Sequence, residues 1–196
     1  MGLSIYSSTE SAVVEAQGDQ YANLKVTSSG GHLQQAALAG RLFSASSGTK
    51  VATTAGVSTT WTGLGIHNPS GSGKNVILHE FGFGQMLAAD TIGAVGLQTA
   101  TIASPAADLT IYNCFDGSTT ASVCNAVNAD TTAGPVLKRV FASYDDAAAA
   151  GENPLPNIYP LNGSLVIPPG RAVLSYTTLA TVACYVFYYV WEEVPV

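Results

Sequence analysis

The residues best suited to bind a phosphate lie in the stretch Gly71-Ser72-Gly73-Lys74. A phosphate-binding loop needs a further glycine five residues before the glycine that precedes the lysine, and Ser or Thr directly after the lysine. Here those two positions hold Asn68 and Asn75. The stretch also joins two predicted strands and does not open a helix. We therefore interpret it as the flexible tip of a hairpin loop and predict no nucleotide cofactor.

Histidines could form a metal site only if the fold brings distant ones together. His79-Glu80 lacks the second histidine of a zinc-protease helix. The predicted hairpin places His67 and His79 on opposite arms, and His32 lies far from both in sequence. Two imidazoles without a defined carboxylate partner make a poor metal site. We expect hydrogen-bonded or solvated histidines and no bound metal.

Oxygen ligands for Ca²⁺ occur together in one loop, at Asp145, Asp146, Glu152 and Asn153. Their spacing does not match an EF-hand loop, so a solvated acidic loop is the favoured interpretation. Glu192-Glu193 is likewise expected to be a solvated strand end whose charges prevent further stacking.

An enzyme has little local support in the sequence. The chain contains no Gly-x-Ser-x-Gly elbow, which argues against a serine hydrolase. A depolymerase-like hydrolase could use carboxylates from Asp116, Asp130 or Asp145, but sequence alone does not bring them together. We predict a protein that is not an enzyme and has no catalytic residues.

The three cysteines, Cys114, Cys124 and Cys184, are an odd number without a Cys-x-x-Cys pair. Free thiols in a reducing cytoplasm are the favoured interpretation, and a Cys114–Cys124 bridge is the alternative. The first ten residues have no basic segment and no apolar segment, so no secretory signal is expected.

Charged residues make up only 10% of the chain, against a usual ~25%. A surface with so few charges suggests that partners cover much of it. The net charge is −6, and the basic residues are scattered except for Lys138-Arg139. Without a basic stripe to neutralise phosphates, we expect no nucleic-acid partner.

From about Val57 onwards, short β-type segments alternate with Gly, Pro, Asn and Asp. Strands are predicted at Thr59–Asn68, Asn75–Phe83, Ala94–Ile102, Asp108–Phe115, Val136–Tyr144, Ser164–Ile167, Ala172–Thr178 and Ala180–Glu193. The first two are expected to form a hairpin, and Cys124–Gly134 is expected to be irregular. About eight strands without βαβ alternation predict an all-β, jelly-roll-like β-sandwich. An up-and-down barrel or an immunoglobulin-like sandwich is the alternative.

The domain organisation predicted is an N-terminal arm and lead-in segment over residues 1–56, followed by the β-sandwich domain over 57–196. Residues 1–20 have too few apolar side chains for a packed element and are interpreted as an extended arm ordered by a partner. Leu33–Leu42 could form a helix or a strand, and Ser44–Gly56 is interpreted as a connection.

The last predicted strand has two apolar faces. Val182, Cys184, Val186, Tyr188 and Val190 form one face, and the other comprises Ala183, Tyr185, Phe187, Tyr189 and Trp191. A strand with one wet face would alternate apolar with polar residues, so both faces must be covered. We predict that Tyr185, Phe187, Tyr189 and Trp191 are a buried core or an intersubunit face.

A membrane anchor is the alternative for this region, because the twenty residues Ala172–Trp191 carry no formal charge. Hydroxyl residues interrupt the stretch, and Val, Thr and Tyr dominate over Leu. A buried strand pair is therefore favoured, and no membrane partner is expected.

Two phrases carry a resemblance to a known class of protein. GLGIHNPSGSGKNVILHEF (Gly63–Phe81) and GSLVIPPGRAVLSYTT…YVWEEVP (Gly163–Pro195) resemble structural proteins of tailed-bacteriophage virions, of the capsid decoration or cement type. The resemblance covers mainly residues 57–196, and Gly30–Ser47 is similar to the lead-in of such proteins. It implies a jelly-roll-like domain, often trimeric, that clamps neighbouring capsid subunits, and it carries no catalytic residues.

We therefore expect a virion protein on the outer capsid surface, assembled in the host cytoplasm. Its expected partners are the major capsid protein and further copies of itself, with a homotrimer favoured. The alternative is a head-fibre, head–tail or tail-tip protein that serves as an adaptor or as a glycan-binding host-recognition module.

Overall fold

A computed structural model describes residues 3–6, 13–18, 24–25, 31–85, 93–103, 105, 108–144 and 157–196. The chain separates into two compact units, Met1–Gln35 and Ala36–Val196. The candidate Ca²⁺ loop at residues 145–153 lies outside the described residues.

The first unit contains a small antiparallel sheet in the order β1-β2-β3, made of β1 (Leu3–Tyr6), β2 (Val13–Gly18) and β3 (Leu24–Lys25). The expectation that residues 1–20 contain no packed element is therefore wrong, because β1 and β2 lie within them and pair. Their interpretation as an arm ordered by a partner stays a prediction. Strand pairing satisfies the backbone groups even where apolar side chains are sparse.

A short helix, α1 (His32–Leu38), precedes the first strand of the second unit. Gly40 ends it with a positive φ of 66°. The amide of Gly40 donates to Ala37 O, and the amide of Arg41 donates to Ala36 O, which is the Schellman pattern. Of the two alternatives left open for Leu33–Leu42, the helix is the one that forms.

The second unit is all-β and consists of two packed antiparallel sheets. Its strands are β4 (Leu42–Ser46), β5 (Val51–Thr53), β6 (Thr60–Asn68), β7 (Lys74–Gln85), β8 (Gly93–Ile102), β9 (Ile111–Asn113), β10 (Asn125–Tyr144), β11 (Asn157–Ile167), β12 (Arg171–Thr177) and β13 (Thr181–Pro195). The six-stranded sheet has the order β11-β7-β13-β4-β9, with β5 also paired to β13. The other four strands, in the order β10-β6-β12-β8, close on themselves. The β-sandwich is confirmed, and jelly-roll connectivity stays a prediction.

The predicted hairpin between the first two strands is wrong. β6 pairs with β10 and β12, whereas β7 pairs with β11 and β13, so the two strands lie in different sheets. The loop Pro69–Gly73 carries the chain from one sheet to the other. Each strand has a buried apolar side, with Leu64 and Ile66 in β6 and Val76 and Leu78 in β7. Packing of the two sheets face to face buries both sides, which an isolated two-stranded hairpin cannot do.

The main core lies between the two sheets. The closed sheet contributes residues such as Leu64, Ile66 and Leu97, which pack against Phe81 and Phe187 of the six-stranded sheet. Rings in this layer contact one another, with the centroids of Phe81 and Phe187 6.0 Å apart. Contact between the inner faces of two sheets defines the sandwich.

A second, smaller cluster fills the interior of the closed sheet. It comprises Trp61, Ala100, Ile102, Val127, Ala172 and Leu174. The Trp61 indole donates to Ser175 O at 2.8 Å, so its polar atom is satisfied inside an apolar cluster.

Two segments expected to be irregular are strands. Residues 125–134 belong to β10, whose first part pairs with β6 and whose second part pairs with β8. β4 and β5 pair with β13, so the chain joins the six-stranded sheet well before residue 57. The sequence does not predict these strands, because their small and polar residues have low β-propensity. Pairing with distant strands stabilises them instead.

Among the described residues, no helix has the length and apolar content needed to cross a bilayer. The charge-free stretch Ala172–Trp191 instead forms most of β12 and the greater part of β13. Both segments are strands, as predicted, but the prediction that they pair is wrong, because β12 belongs to the closed sheet and β13 to the six-stranded sheet.

Gly96 lies in β8, which pairs with β10 to close the four-stranded sheet. Among the positions at this closure, Gly96 should tolerate a side chain least. A Cβ at Gly96 would lie 2.1 Å from the backbone oxygen of Arg139. We predict that Gly96→Ala lowers the free energy of unfolding by about 2 kcal/mol or more, because the β8–β10 backbones must separate. Urea denaturation measures the change.

Gly71→Ala is the matched control, because a Cβ there meets nothing within 4 Å. It should change the free energy of unfolding by less than about 1 kcal/mol. Equal stability of Gly96→Ala and wild type would show that β8 and β10 are not held this closely.

Candidate functional site

The end of β13 carries two adjacent carboxylates that are almost completely buried. Glu192 and Glu193 are each 1% exposed. Their neighbours form what we call the carboxylate clasp: Glu192, Glu193, Arg41, Lys74, His79 and Ser122. The expectation of a solvated end is wrong, because the strand continues to Pro195 and cationic partners cover both carboxylates.

Glu192 points to the outer side of the six-stranded sheet. Its Oε1 lies 3.0 Å from Arg41 Nη2, and its Oε2 lies 3.5 Å from His79 Nε2. His79 reaches this position because the β7–β13 register shifts between Val190 and Trp191. Such a bulge redirects a side chain.

Glu193 points to the inner side and has four polar neighbours. Its Oε2 lies 3.1 Å from Lys74 Nζ, and its Oε1 accepts from the Ser122 hydroxyl. The Val123 amide also donates to Oε1 at 3.1 Å. The Trp191 indole lies at the hydrogen-bond limit, 3.5 Å from the same oxygen.

The carboxylate clasp joins segments that are distant in sequence. Arg41 lies between α1 and β4, Lys74 begins β7, and Ser122 lies in the loop between β9 and β10. A buried carboxylate needs a cation and hydrogen bonds to offset its lost hydration. The clasp therefore fastens three segments to the last strand, and its charges are committed to that task.

A cavity of about 230 Å³ opens beside the clasp. It is lined by Phe43, Leu109, Ile111, Asn113, Thr120, Ala121, Ser122, Cys124, Asn125 and Ala126. The Asn113 side-chain amide donates to Gly40 O and Thr120 O, so it holds this part of the cavity lining in place. The only titratable side chain in this lining is the Cys124 thiol.

The Cys124 thiol stays protonated at neutral pH. Burial and the negative charge of Glu193 raise its pKa far above the ordinary value. A protonated thiol is a weak nucleophile and a weak metal ligand. Cys114 and Cys124 are both free, as favoured from the sequence, and burial raises the pKa of Cys114 as well.

The four aromatic residues predicted as a core or intersubunit face lie in the core of the chain itself. Tyr185, Phe187, Tyr189 and Trp191 are at most 1% exposed. The Tyr189 ring centroid lies 5.1 Å from that of Phe81. Sheet-on-sheet packing therefore covers this face without a second copy.

The opposite side of β13 belongs to the outer face of the six-stranded sheet. Cross-strand neighbours place these residues on the outer face: Ile158, Pro160 and Val166 of β11; Ile77, Glu80, Gly82 and Gly84 of β7; Val186, Tyr188 and Val190 of β13; Ser44 and Ser46 of β4; and Tyr112 of β9. Most are half-buried or exposed, and Tyr112 is 64% exposed. Glu192, which lies opposite Ile77, is on the same side, where it is buried against Arg41. Glu80 and Glu192 are therefore the two carboxylates on the outer side of these strands.

Glu80 and Tyr188 form a hydrogen-bonded pair at the centre of the outer face. The Tyr188 hydroxyl donates to Glu80 Oε1 at 2.5 Å. Burial, this hydrogen bond and the negative charge of Glu80 raise the pKa of Tyr188 well above its ordinary value. The Tyr188 ring lies over Gly82, where a Cβ would come within 2.0 Å of a ring carbon. The pair is therefore held flat against the sheet.

His67, His79, Asp116 and Asp130, which were considered from the sequence, are not brought together in one site. His67 belongs to the closed sheet and His79 to the six-stranded sheet. Asp130 lies in β10, and Asp116 is exposed in the turn after β9. The sequence does not predict the carboxylate clasp, because the cationic partners of Glu192 and Glu193 come from distant segments. The one local indication of buried carboxylates was the position of the two glutamates next to an apolar strand.

We predict that Glu193→Gln lowers the free energy of unfolding by about 3 kcal/mol, the usual cost of breaking a buried ion pair. Lys74 would lose its counter-charge, and the new amide group would face the Lys74 ammonium. Urea denaturation at neutral pH measures the loss. Glu80→Gln, on the half-exposed outer face, should cost less than about 1 kcal/mol. Equal effects would show that the clasp does not stabilise the fold.

His67 should make the stability depend on pH. The side chain is 4% exposed, its Nδ1 has no hydrogen-bond partner among the described residues, and burial lowers its pKa below 6.5, partly opposed by Asp130. Below about pH 6.5 the unfolded chain binds the proton more readily than the folded chain, so the free energy of unfolding falls. His67→Gln should reduce that pH slope.

Urea denaturation of both proteins between about pH 7.5 and about pH 5 measures this difference, since other groups contribute to both slopes. Identical slopes would show that His67 is protonated as easily in the folded chain as in the unfolded one.

Comparison of the chain with protein-family models, curated proteins and solved structures gives no match. The function is therefore argued from the residues of the chain and their geometry.

Proposed function

We propose that this chain is a structural protein of a bacteriophage virion, of the capsid decoration type. It binds the outer surface of the shell as a homo-oligomer, with a trimer favoured, and it is not an enzyme. Its partners in this proposal are the major capsid protein and further copies of itself. Its action is adhesive, because apolar burial of roughly 25 cal/mol per Å² across subunit contacts opposes the pressure of the packaged genome.

The observation that carries the proposal is how the chain uses its buried ionisable groups. Glu192 and Glu193 are paired with Arg41 and Lys74 and fasten the last strand to distant segments. A catalytic carboxylate needs access to substrate and freedom to exchange a proton. These carboxylates are instead used to hold the sandwich together, which supports a mechanical role.

Two further observations support the proposal. Charged residues are 10% of the chain, and the outer side of the six-stranded sheet carries two carboxylates, of which Glu192 is buried against Arg41. Four of the five aromatic residues of β13 lie in the core, whereas a glycan-binding module would present such rings in its loops. The arrangement therefore favours a shell-binding protein over the host-recognition alternative.

We predict that the full chain binds saturably to expanded shells of the phage that encodes it and does not bind to unexpanded shells. Co-sedimentation with purified shells measures occupancy, and heating of decorated and bare shells measures stabilisation. Deletion of residues 1–20 should lower occupancy and leave the β-sandwich folded, because the N-terminal segment is expected to contact the shell.

Bovine serum albumin, an acidic protein that is foreign to the phage, is the control for non-specific adsorption. Occupancy no higher than that control would overturn the proposed function. Unchanged occupancy after deletion of residues 1–20 would overturn the shell-binding role of that segment alone.

A further inference from the structure

We propose that the outer face of the six-stranded sheet is the surface through which copies of this chain bind one another. The inference rests on the proposed function, since a decoration protein that acts as a homo-oligomer needs a contact between copies. It identifies that contact and separates it from the surface that binds the shell.

The half-buried apolar residues that a partner could cover lie on β13 and its neighbouring strands. Its inner aromatic face is buried by the chain itself, whereas Val186, Tyr188 and Val190 are only half-buried. Ile158 and Val166 on the neighbouring edge are 55% and 48% exposed. A sheet face that meets water normally carries polar residues at these positions.

The charge distribution favours a second copy as the occupant. Two chains of net charge −6 repel each other, so they can approach closely only where the surface carries little charge. Of the two carboxylates on the outer side, Glu192 is buried and neutralised by Arg41, and Glu80 accepts a hydrogen bond from the Tyr188 hydroxyl. A strongly basic or acidic partner would find no complementary charges here, whereas the same face of another copy matches it.

The size of the face is adequate. Five strands about 4.8 Å apart, over about eight residues of β7 at 3.3 Å each, give a flat footprint of roughly 600 Å². Side-chain relief increases this area, and each partner of a standard interface buries about 800 Å². Two such faces can pack about 10 Å apart, as sheets do in a sandwich. A face that packs on itself joins two copies about a twofold axis, so this contact forms a dimer, and a trimer would need a second, different contact.

The side chains suit an interface core. Tyr188 is central and held in place by Glu80, so little rotamer freedom is lost on binding. Tyr112 projects at one side with 64% exposure, and Ile158 projects at the other. Tyrosines are enriched at interface centres because they combine apolar area with one polar atom.

The test compares two double variants with matched exposure. Ile158→Asp/Val166→Asp places two carboxylates on the outer face, at residues 55% and 48% exposed. Val136→Asp/Val140→Asp places two on β10, at residues 47% and 54% exposed. Both pairs change the net charge equally. Sedimentation equilibrium measures self-association, and circular dichroism melting verifies that each variant folds.

We expect the wild type and the β10 variant to self-associate alike. The outer-face variant should bind its own copies at least about 30-fold more weakly, because each copy would bring two carboxylates without counter-charges into the contact. If that variant does not fold, Tyr112→Asp on the opposite side of the same face replaces it, with the same expected result.

Three outcomes would overturn the inference: a monomeric wild type at every concentration, equal weakening by both double variants, or weakening by the β10 variant alone. The shell-binding experiment separates the two proposals. A chain that binds shells as a monomer would keep the shell-binding part of the proposed function and reject this interface. A chain that self-associates through this face but does not bind shells would keep the interface and reject the proposed function.

Discussion

Burial of the inner aromatic face of β13 is the interaction that requires both sheets. Tyr185, Phe187, Tyr189 and Trp191 are covered because residues of the closed sheet share their core, while β7 and β4 pair with the two edges of β13. Fully burying an aromatic side chain contributes about 2 to 3 kcal/mol, and ring contacts add to it. Loss of either sheet would expose all four rings together.

The carboxylate clasp makes this arrangement specific to one register. Because side chains alternate along a strand, a shift of one residue would turn Glu193 to the outer side and Glu192 into the core. Glu193 would then lose Lys74 and the Val123 amide, and Glu192 would lose Arg41. Burying these charges without partners is far more costly than burying them paired. The clasp thus penalises the misaligned sheets that a uniformly apolar strand would otherwise tolerate.

The sequence predicts those strands whose own residues show the pattern, such as Ala94–Ile102 and Ala172–Thr178, because local composition decides them. Pairing was less predictable. β6 and β7 are separated by a short glycine-rich loop that is typical of a hairpin, yet their apolar faces direct them into different sheets. The clasp could not be predicted either, since Arg41, Lys74 and Ser122 meet Glu192 and Glu193 only after the sheets form. The local sequence therefore determines where strands form, whereas packing between segments that are distant in sequence determines which strands pair.

The two apolar faces of the last strand therefore require separate explanations. The inner face is satisfied within one chain, so its aromatic residues give no information about partners. The outer face keeps apolar residues where water would favour polar ones, and its more exposed carboxylate, Glu80, is bonded to Tyr188. Stability of the single chain does not require this, because exposed positions tolerate polar residues at little cost. An apolar face that the described residues leave half-exposed therefore supports the proposed contact between copies, and its few charges fit a partner that is itself acidic.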